Sequence, residues 1–447
     1  MARWKGACYL LLLLLLLPAT LDTVDALVHA ERRPEFPRDA RDLMVRLARA
    51  ISGLAQGLAL DNAYRPHRQS ARGAPGKHFR GTRALVAASG YPLEAHEVRT
   101  PDGYFLSVFR IPRPRRPVVF LMHGLMLSSA DYFTLGRGRA LPLLLHDAGF
   151  DVWLGNGRGS MESRRHEDRH ADDPGFWDFT WHEIGVLDLP SCIDHVLAAT
   201  NQSALHYVGH SQGTTTFFVM GSERPEYMAK VKAFVGLAPV AFVRDIRSDL
   251  IRVTCDLGAP AFLRHRGFME LLPNPPFISA LKQLLCSPGA ATQPLCSAFL
   301  SLISGFYSKQ VNVTMMPSLF TNFPGGSALK QLEHYCQQLA LEELDFRQFD
   351  LKARGNLARY GQVRPPAYNL SRVTAPCYLI HADNDVLAVQ SNVEALSQRL
   401  PNVPPDGVRL VRLAEFNHLD FIYGRDAKEL VYDHVLAYIG RQERLPT

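Results

Sequence analysis

The 447-residue chain predicts an α/β protein: a mostly parallel, doubly wound sheet with a helical cap inserted before its penultimate strand. Three observations carry this expectation. Short apolar runs alternate with segments of helical spacing between about residues 117 and 237, as a parallel sheet covered on both faces requires. From Ala238 to about Pro376 no clear strand occurs, and apolar helical segments with proline-rich joints take over across a stretch too long to be a loop. Strand signals then resume at Cys377-Tyr378-Leu379-Ile380 and at Val408–Leu413.

Taken in order, residues 1–26 place Arg3 and Lys5 before an apolar core from Tyr9 to Leu17, followed by Pro18-Ala19-Thr20. This is the pattern of a secretory signal peptide, cleaved between Ala19 and Ala26. The core is too short for a transmembrane anchor, which takes about 20 apolar residues. Residues 27–83 form a basic leader, possible as a pro-segment, with twelve Lys/Arg against five Asp/Glu. Within it Leu43, Leu47, Ile51, Leu54 and Leu58 share one face of a helix. The leader accounts for the whole net charge of +6, so the body offers no electrostatic footprint for nucleic acid.

The body divides into a first core part over 84–239, the cap over 240–372 and a second core part over 373–447. Its first landmark is Gly90-Tyr91-Pro92. Glu97–Thr100 and Tyr104–Ile111, joined by Pro101-Asp102-Gly103, predict an antiparallel hairpin. Pro117–Met122 is a continuous apolar run of the buried parallel kind. Ala140–Gly149 has helical spacing, Phe150–Leu154 is a strand, and Asp188–Thr200 is a helix. Leu205–Val208 and Lys232–Leu237 are further strands. Phe277–Cys286 and Ser297–Phe306 are helical segments of the cap, and a last helix spans about Lys428–Ile439.

The chemistry centres on Leu205-His206-Tyr207-Val208-Gly209-His210-Ser211-Gln212-Gly213. A buried strand, a tight G-H-S-Q-G bend and an apolar helix from Thr214 to Met220 make the context of a nucleophile elbow, which exposes the Ser211 hydroxyl at the sheet edge. A hydroxyl is a poor nucleophile near neutrality and needs a base, which in turn needs an orienting carboxylate. Beyond Cys377–Ile380 lie Asp383 and Asp385, either of which can be the acid. Beyond the last strand lies His418. The chain order Ser, acid, His and the placement of each just past a strand end select these residues. A developing oxyanion requires two donors, expected from the N–H groups of Gln212 and of Leu125 in His123-Gly124-Leu125-Met126. His210 is expected to pack against or orient the elbow, and His123 to shape the loop it opens.

No H-E-x-x-H, paired C-x-x-C or glycine-rich phosphate loop occurs, so neither a metal nor a cofactor is expected. Outside the signal segment, Cys286 and Cys296 close the shortest loop and are the favoured disulfide pair. Cys192, in a helix, and Cys377, opening a strand, are expected to be buried free thiols. Asn201, Asn312 and Asn369 head N-glycosylation sequons.

These residues together resemble a known family. His123-Gly124-Leu125, Trp153-Leu154-Gly155-Asn156 with Arg158-Gly159, Asp188-Leu189-Pro190, His206–Thr215, Leu237-Ala238-Pro239-Val240 and Asn417-His418-Leu419-Asp420-Phe421 are similar to motifs of the gastric and lysosomal acid lipases and their insect and other invertebrate relatives. The resemblance covers about residues 82–440. It implies an α/β-hydrolase fold with a helical cap and lid. It also implies a serine hydrolase that cleaves triacylglycerols or cholesteryl esters without a cofactor, in the secretory pathway, the lysosome or outside the cell. The expected partner is a lipid–water interface rather than nucleic acid or an obligate protein. By position, Ser211 matches the nucleophile, Asp385 the acid, His418 the base, Leu125 and Gln212 the oxyanion donors, and Cys286 with Cys296 the cap disulfide. Where the family has G-G-x-D-x-L-A-D, this chain has Ala382-Asp383-Asn384-Asp385-Val386-Leu387-Ala388-Val389. Two other functions fit the fold: a carboxylesterase for small esters, and a lipid-binding relative without turnover, against which the intact Ser, Asp and His argue.

Overall fold

The computed structural model describes residues 81–305 and 308–443; the signal segment, the amphipathic helix of the leader and almost all of the leader itself lie outside them. The described body begins with helix α1 (Thr82–Ala88), earlier than the Gly90-Tyr91-Pro92 landmark. The Thr82 N–H donates to Glu162 at 2.8 Å, and its hydroxyl lies 2.6 Å from that of Ser129. Only Thr82 and Val86 are buried, so a helix this short is held by partners distant in sequence and has no periodicity of its own to announce it.

Strands β1 (Glu94–Arg99) and β2 (Tyr104–Ile111) form the antiparallel hairpin. Strands β3 (Val118–Met122) and β4 (Asp151–Gly155) are buried along their whole length and pair in parallel, with helix α2 (Leu141–Asp147) between them in sequence. A two-residue strand β5 (Arg165–His166), absent from the sequence reading, pairs with β2; it is too short to carry a pattern. Helix α3 (Leu189–Thr200) leads to β6 (Leu205–His210), and helix α4 (Gln212–Glu223) leads to β7 (Val231–Leu237). After the cap come β8 (Cys377–Ala382) and β9 (Val408–Val411). The spatial order is β1-β2-β4-β3-β6-β7-β8-β9, antiparallel at β1–β2–β4 and parallel from β4 onward. Burial of both faces explains the unbroken apolar run of β3 and the largely apolar β6 and β7, which are interrupted by His206 and Lys232. Against them pack rings such as Phe217 of α4 and Phe234 of β7, stacked with centroids 3.9 Å apart.

Between β7 and β8 the described residues form no sheet strand. Seven helices fill the interval: α5 (Asp249–Asp256), α6 (Ala259–His265), α7 (Pro276–Leu285), α8 (Gln293–Ser304), α9 (Met316–Asn322), α10 (Leu329–Leu339) and α11 (Lys352–Tyr360). Two disulfides tie them, Cys286–Cys296 and Cys255–Cys336. The second joins residues 81 positions apart, and no local spacing points to it. Cys192 and Cys377 are free and buried. The last turns run through Lys428–Tyr432 into helix α12 (Asp433–Gln442). Among the described residues no helix is long and apolar enough to cross a membrane.

Candidate active site

The parallel strands deliver their C-terminal ends to one edge, and the site is built there. Ser211 follows β6 directly and has φ 51° and ψ −118°, a conformation disfavoured for a residue with a Cβ. Its N–H donates to the Leu237 carbonyl at 3.0 Å, which ties the bend to the end of β7. The bend leaves no room for side chains behind it: a Cβ on Gly213 would stand 2.3 Å from the Met122 carbonyl oxygen. Helix α4 starts at Gln212, so the Gln212 N–H faces outward with no preceding turn to accept it.

His418 bridges Ser211 and Asp385. Its Nε2 lies 2.8 Å from Ser211 Oγ, and its Nδ1 lies 2.8 Å from Asp385 Oδ2. A carboxylate only accepts, so Nδ1 carries the proton and Nε2 presents a lone pair to the hydroxyl. The other oxygen, Asp385 Oδ1, accepts N–H bonds from Leu387 and Ala388, both at 2.8 Å. Complete burial alone would raise the Asp385 pKa. The facing His418 ring and the two N–H donors outweigh it and hold the carboxyl below its ordinary value. Asp383, the other candidate acid, is exposed.

His123 and His210 lie behind these groups. His210 Nε2 donates to the His418 carbonyl at 3.1 Å, and burial presses its pKa down to about 3. His123 donates through Nδ1 to the Gly124 carbonyl at 2.8 Å and accepts the Gly157 N–H at Nε2, 3.1 Å away. Burial lowers it to about 4. Both rings are therefore neutral struts near neutrality, one on the His418 loop and one on the loop after β3. That second loop carries Leu125 and lies against the elbow: a Cβ on Gly124 would come within 3.0 Å of Ser211 Cβ. Its far side is held by the cap, where the Gly325 N–H donates to the Met126 carbonyl at 2.5 Å.

Two further buried carboxyls, Asp131 and Asp420, have no role in the sequence reading. Asp131 accepts the Tyr423 hydroxyl at 2.6 Å and the Ser128 N–H at 2.7 Å, and burial raises it to about 6. Asp420 accepts from the Asn417 N–H and the Ser308 hydroxyl, each at 2.7 Å, and burial raises it to about 7. Asp420 stands two residues after His418, the one available signal. Among the described residues no cluster of His, Cys, Asp or Glu could hold a metal ion. Asn201, Asn312 and Asn369 are exposed.

With this geometry in view, the comparisons with known proteins fall into one group. A family model described as the α/β hydrolase fold matches residues 117–425, and one described as a partial α/β-hydrolase lipase region matches residues 82–136. Lipase 3 of Drosophila melanogaster is 40% identical over 80% of this chain and 92% of its own. The gastric triacylglycerol lipase of Bos taurus is 35% identical over 80% of this chain and 91% of its own. A Crotalus adamanteus relative, named for lysosomal acid lipase and cholesteryl ester hydrolase, is 34% identical over 78% of this chain and 87% of its own.

Proposed function

The chain belongs to the gastric and lysosomal acid lipase family of α/β hydrolases, and from that premise we propose that it is a serine lipase cleaving neutral lipid esters, triacylglycerols or cholesteryl esters, through an acyl-enzyme on Ser211. One observation carries the reading: His418 is within 2.8 Å of both Ser211 Oγ and Asp385 Oδ2. Ser211 attacks the ester carbonyl as His418 Nε2 takes its proton. Asp385 holds the ring in the required tautomer and stabilises the imidazolium that forms. The N–H groups of Gln212 and Leu125 receive the oxyanion, each worth about 3 kcal/mol in the transition state. His418 then gives the proton to the departing alcohol, and the same ring activates the water that releases the fatty acid.

Substrates of this kind gather at a lipid–water interface, and the cap offers apolar side chains to meet it. Leu257, Phe262 and Leu284 are 55%, 52% and 69% exposed. The apolar segment at residues 9–17 supports entry into the secretory pathway, with an extracellular or lysosomal destination.

The test is the purified protein assayed on emulsified triacylglycerol, emulsified cholesteryl ester and a soluble short-chain ester. The wild type is expected to hydrolyse the emulsions and to be labelled once, at Ser211, by an organophosphonate. Ser211→Ala is expected to lose about 10⁶-fold in kcat. Full activity in Ser211→Ala would overturn the nucleophile assignment, and hydrolysis of the soluble ester alone would overturn the lipase reading.

A further inference from the structure

The cap reaches down to the sheet edge at the end of α8, and it touches the turn that carries His418 in three places. The His418 N–H donates to the Ser304 carbonyl at 3.2 Å. Asn417 Nδ2 donates to the Gly305 carbonyl at 2.9 Å. The Ser308 hydroxyl donates to Asp420 Oδ2 at 2.7 Å. These three residues of the cap thus bond to three of the four residues Asn417–Asp420, with His418 among them.

That four-residue turn is itself closed at both ends. Asp420 Oδ2 accepts the Asn417 N–H at 2.7 Å, and Asn417 Oδ1 accepts the Leu419 N–H at 3.1 Å. The oxygen that closes the turn is therefore the same oxygen that accepts the hydrogen bond from the Ser308 hydroxyl. Gly305 sits where the acid and base loops meet: a Cβ there would lie 2.4 Å from the Asn384 carbonyl oxygen and 3.0 Å from Asn417 Cβ. Further along, Gln310 is 1% exposed and bonds the chain beyond the turn. Its carbonyl accepts the Arg425 N–H at 3.0 Å, its Oε1 accepts the Asp426 N–H at 3.1 Å, and its Nε2 donates to Asp426 Oδ2 at 2.9 Å.

A histidine on a loop has no strand or helix of its own to fix its ring. Catalysis of this kind tolerates little displacement, since misplacing a reacting group by about 1 Å can cost on the order of 100-fold in rate. We infer that Ser308 and Asp420 are positioning residues for the base, and that the cap residues Ser304, Gly305 and Ser308 belong to the catalytic framework. The inference rests on His418 being the base in the proposed reaction.

The experiment uses the full chain and a soluble short-chain ester, so that interfacial binding does not enter. Ser308→Ala and Asp420→Ala are each expected to lower kcat about 10-fold with KM within about twofold, and to slow organophosphonate labelling of Ser211 to the same degree. Ser308→Thr, which keeps the hydroxyl, is expected to recover most of the loss. Ser308 is only partly buried, so Ser308→Ala remains testable even where Asp420→Ala does not fold. Thermal unfolding separates the two possible roles. Lower melting with unchanged kcat and unchanged labelling in Ser308→Ala would make the bond merely structural and overturn the inference. An active Ser211→Ala would instead overturn the catalytic assignment on which the inference rests.

Discussion

The sheet edge and the cap meet at one site yet are held in different ways. At the edge each group of the proposed reaction is fixed by hydrogen bonds: Asp385 by two N–H donors and His418, His418 by Asp385 and the His210 strut, Ser211 by the end of β7. The cap is fixed by two covalent crosslinks and by contacts with the core such as Arg164–Glu270, Lys330–Asp178 and Thr215–Tyr335, and it leaves large apolar side chains exposed on α6, on α7 and at the end of α5. The contrast separates two demands. Chemistry needs ångström placement, which a close-packed sheet supplies. The proposed contact with a lipid–water interface needs exposed apolar area, which destabilises a soluble surface and which this chain carries on a stapled layer.

The sharpest way to break the contrast is at the edge. Asp385→Asn keeps the shape but removes the acceptor that fixes the His418 tautomer, and kcat on a soluble ester is expected to fall about 10⁴-fold. A loss below tenfold would mean that Asp385 does not orient the base. In the cap, Cys286→Ser with Cys296→Ser opens a loop of sequence separation 10 and is expected to cost about 2–3 kcal/mol. Limited proteolysis is expected to cut the cap first and leave the sheet intact; simultaneous loss of both would show that they unfold as one unit. The smallest expected effect concerns the exposed side chains. Leu257→Ser, Phe262→Ser and Leu284→Ser together are expected to lower the ratio of emulsified to soluble ester rates severalfold. An unchanged ratio would remove these side chains from the interface.

Legibility in the sequence follows the same division. The apolar runs of β3, β6 and β7 are visible because both faces of each strand are buried, and Ser211 and His418 are visible because each follows a strand end. The choice between Asp383 and Asp385 was not open to pattern reasoning. Two residues apart, they have the same parity along the chain, and only burial against His418 distinguishes them. The Cys255–Cys336 bridge and the Ser308–Asp420 bond join positions 81 and 112 residues apart, and contacts at such range leave no trace in local spacing. Helix α1 escaped because its stability comes from Glu162 and Ser129 rather than from its own seven residues. The resemblance to acid lipases supplied what spacing lacked at the acid, because it aligned Asp385 with a known role.

The partition of the cysteines also bears on how the chain matures. All four bonded sulfurs belong to the cap, while Cys192 and Cys377 lie under the sheet's helices and strands, where burial pushes their thiols far from the reactive thiolate. Six thiols oxidising on an unfolded polypeptide can combine in many wrong ways, whereas four can combine in only a handful. Burial of Cys192 and Cys377 in the closed sheet removes two competitors and narrows that choice.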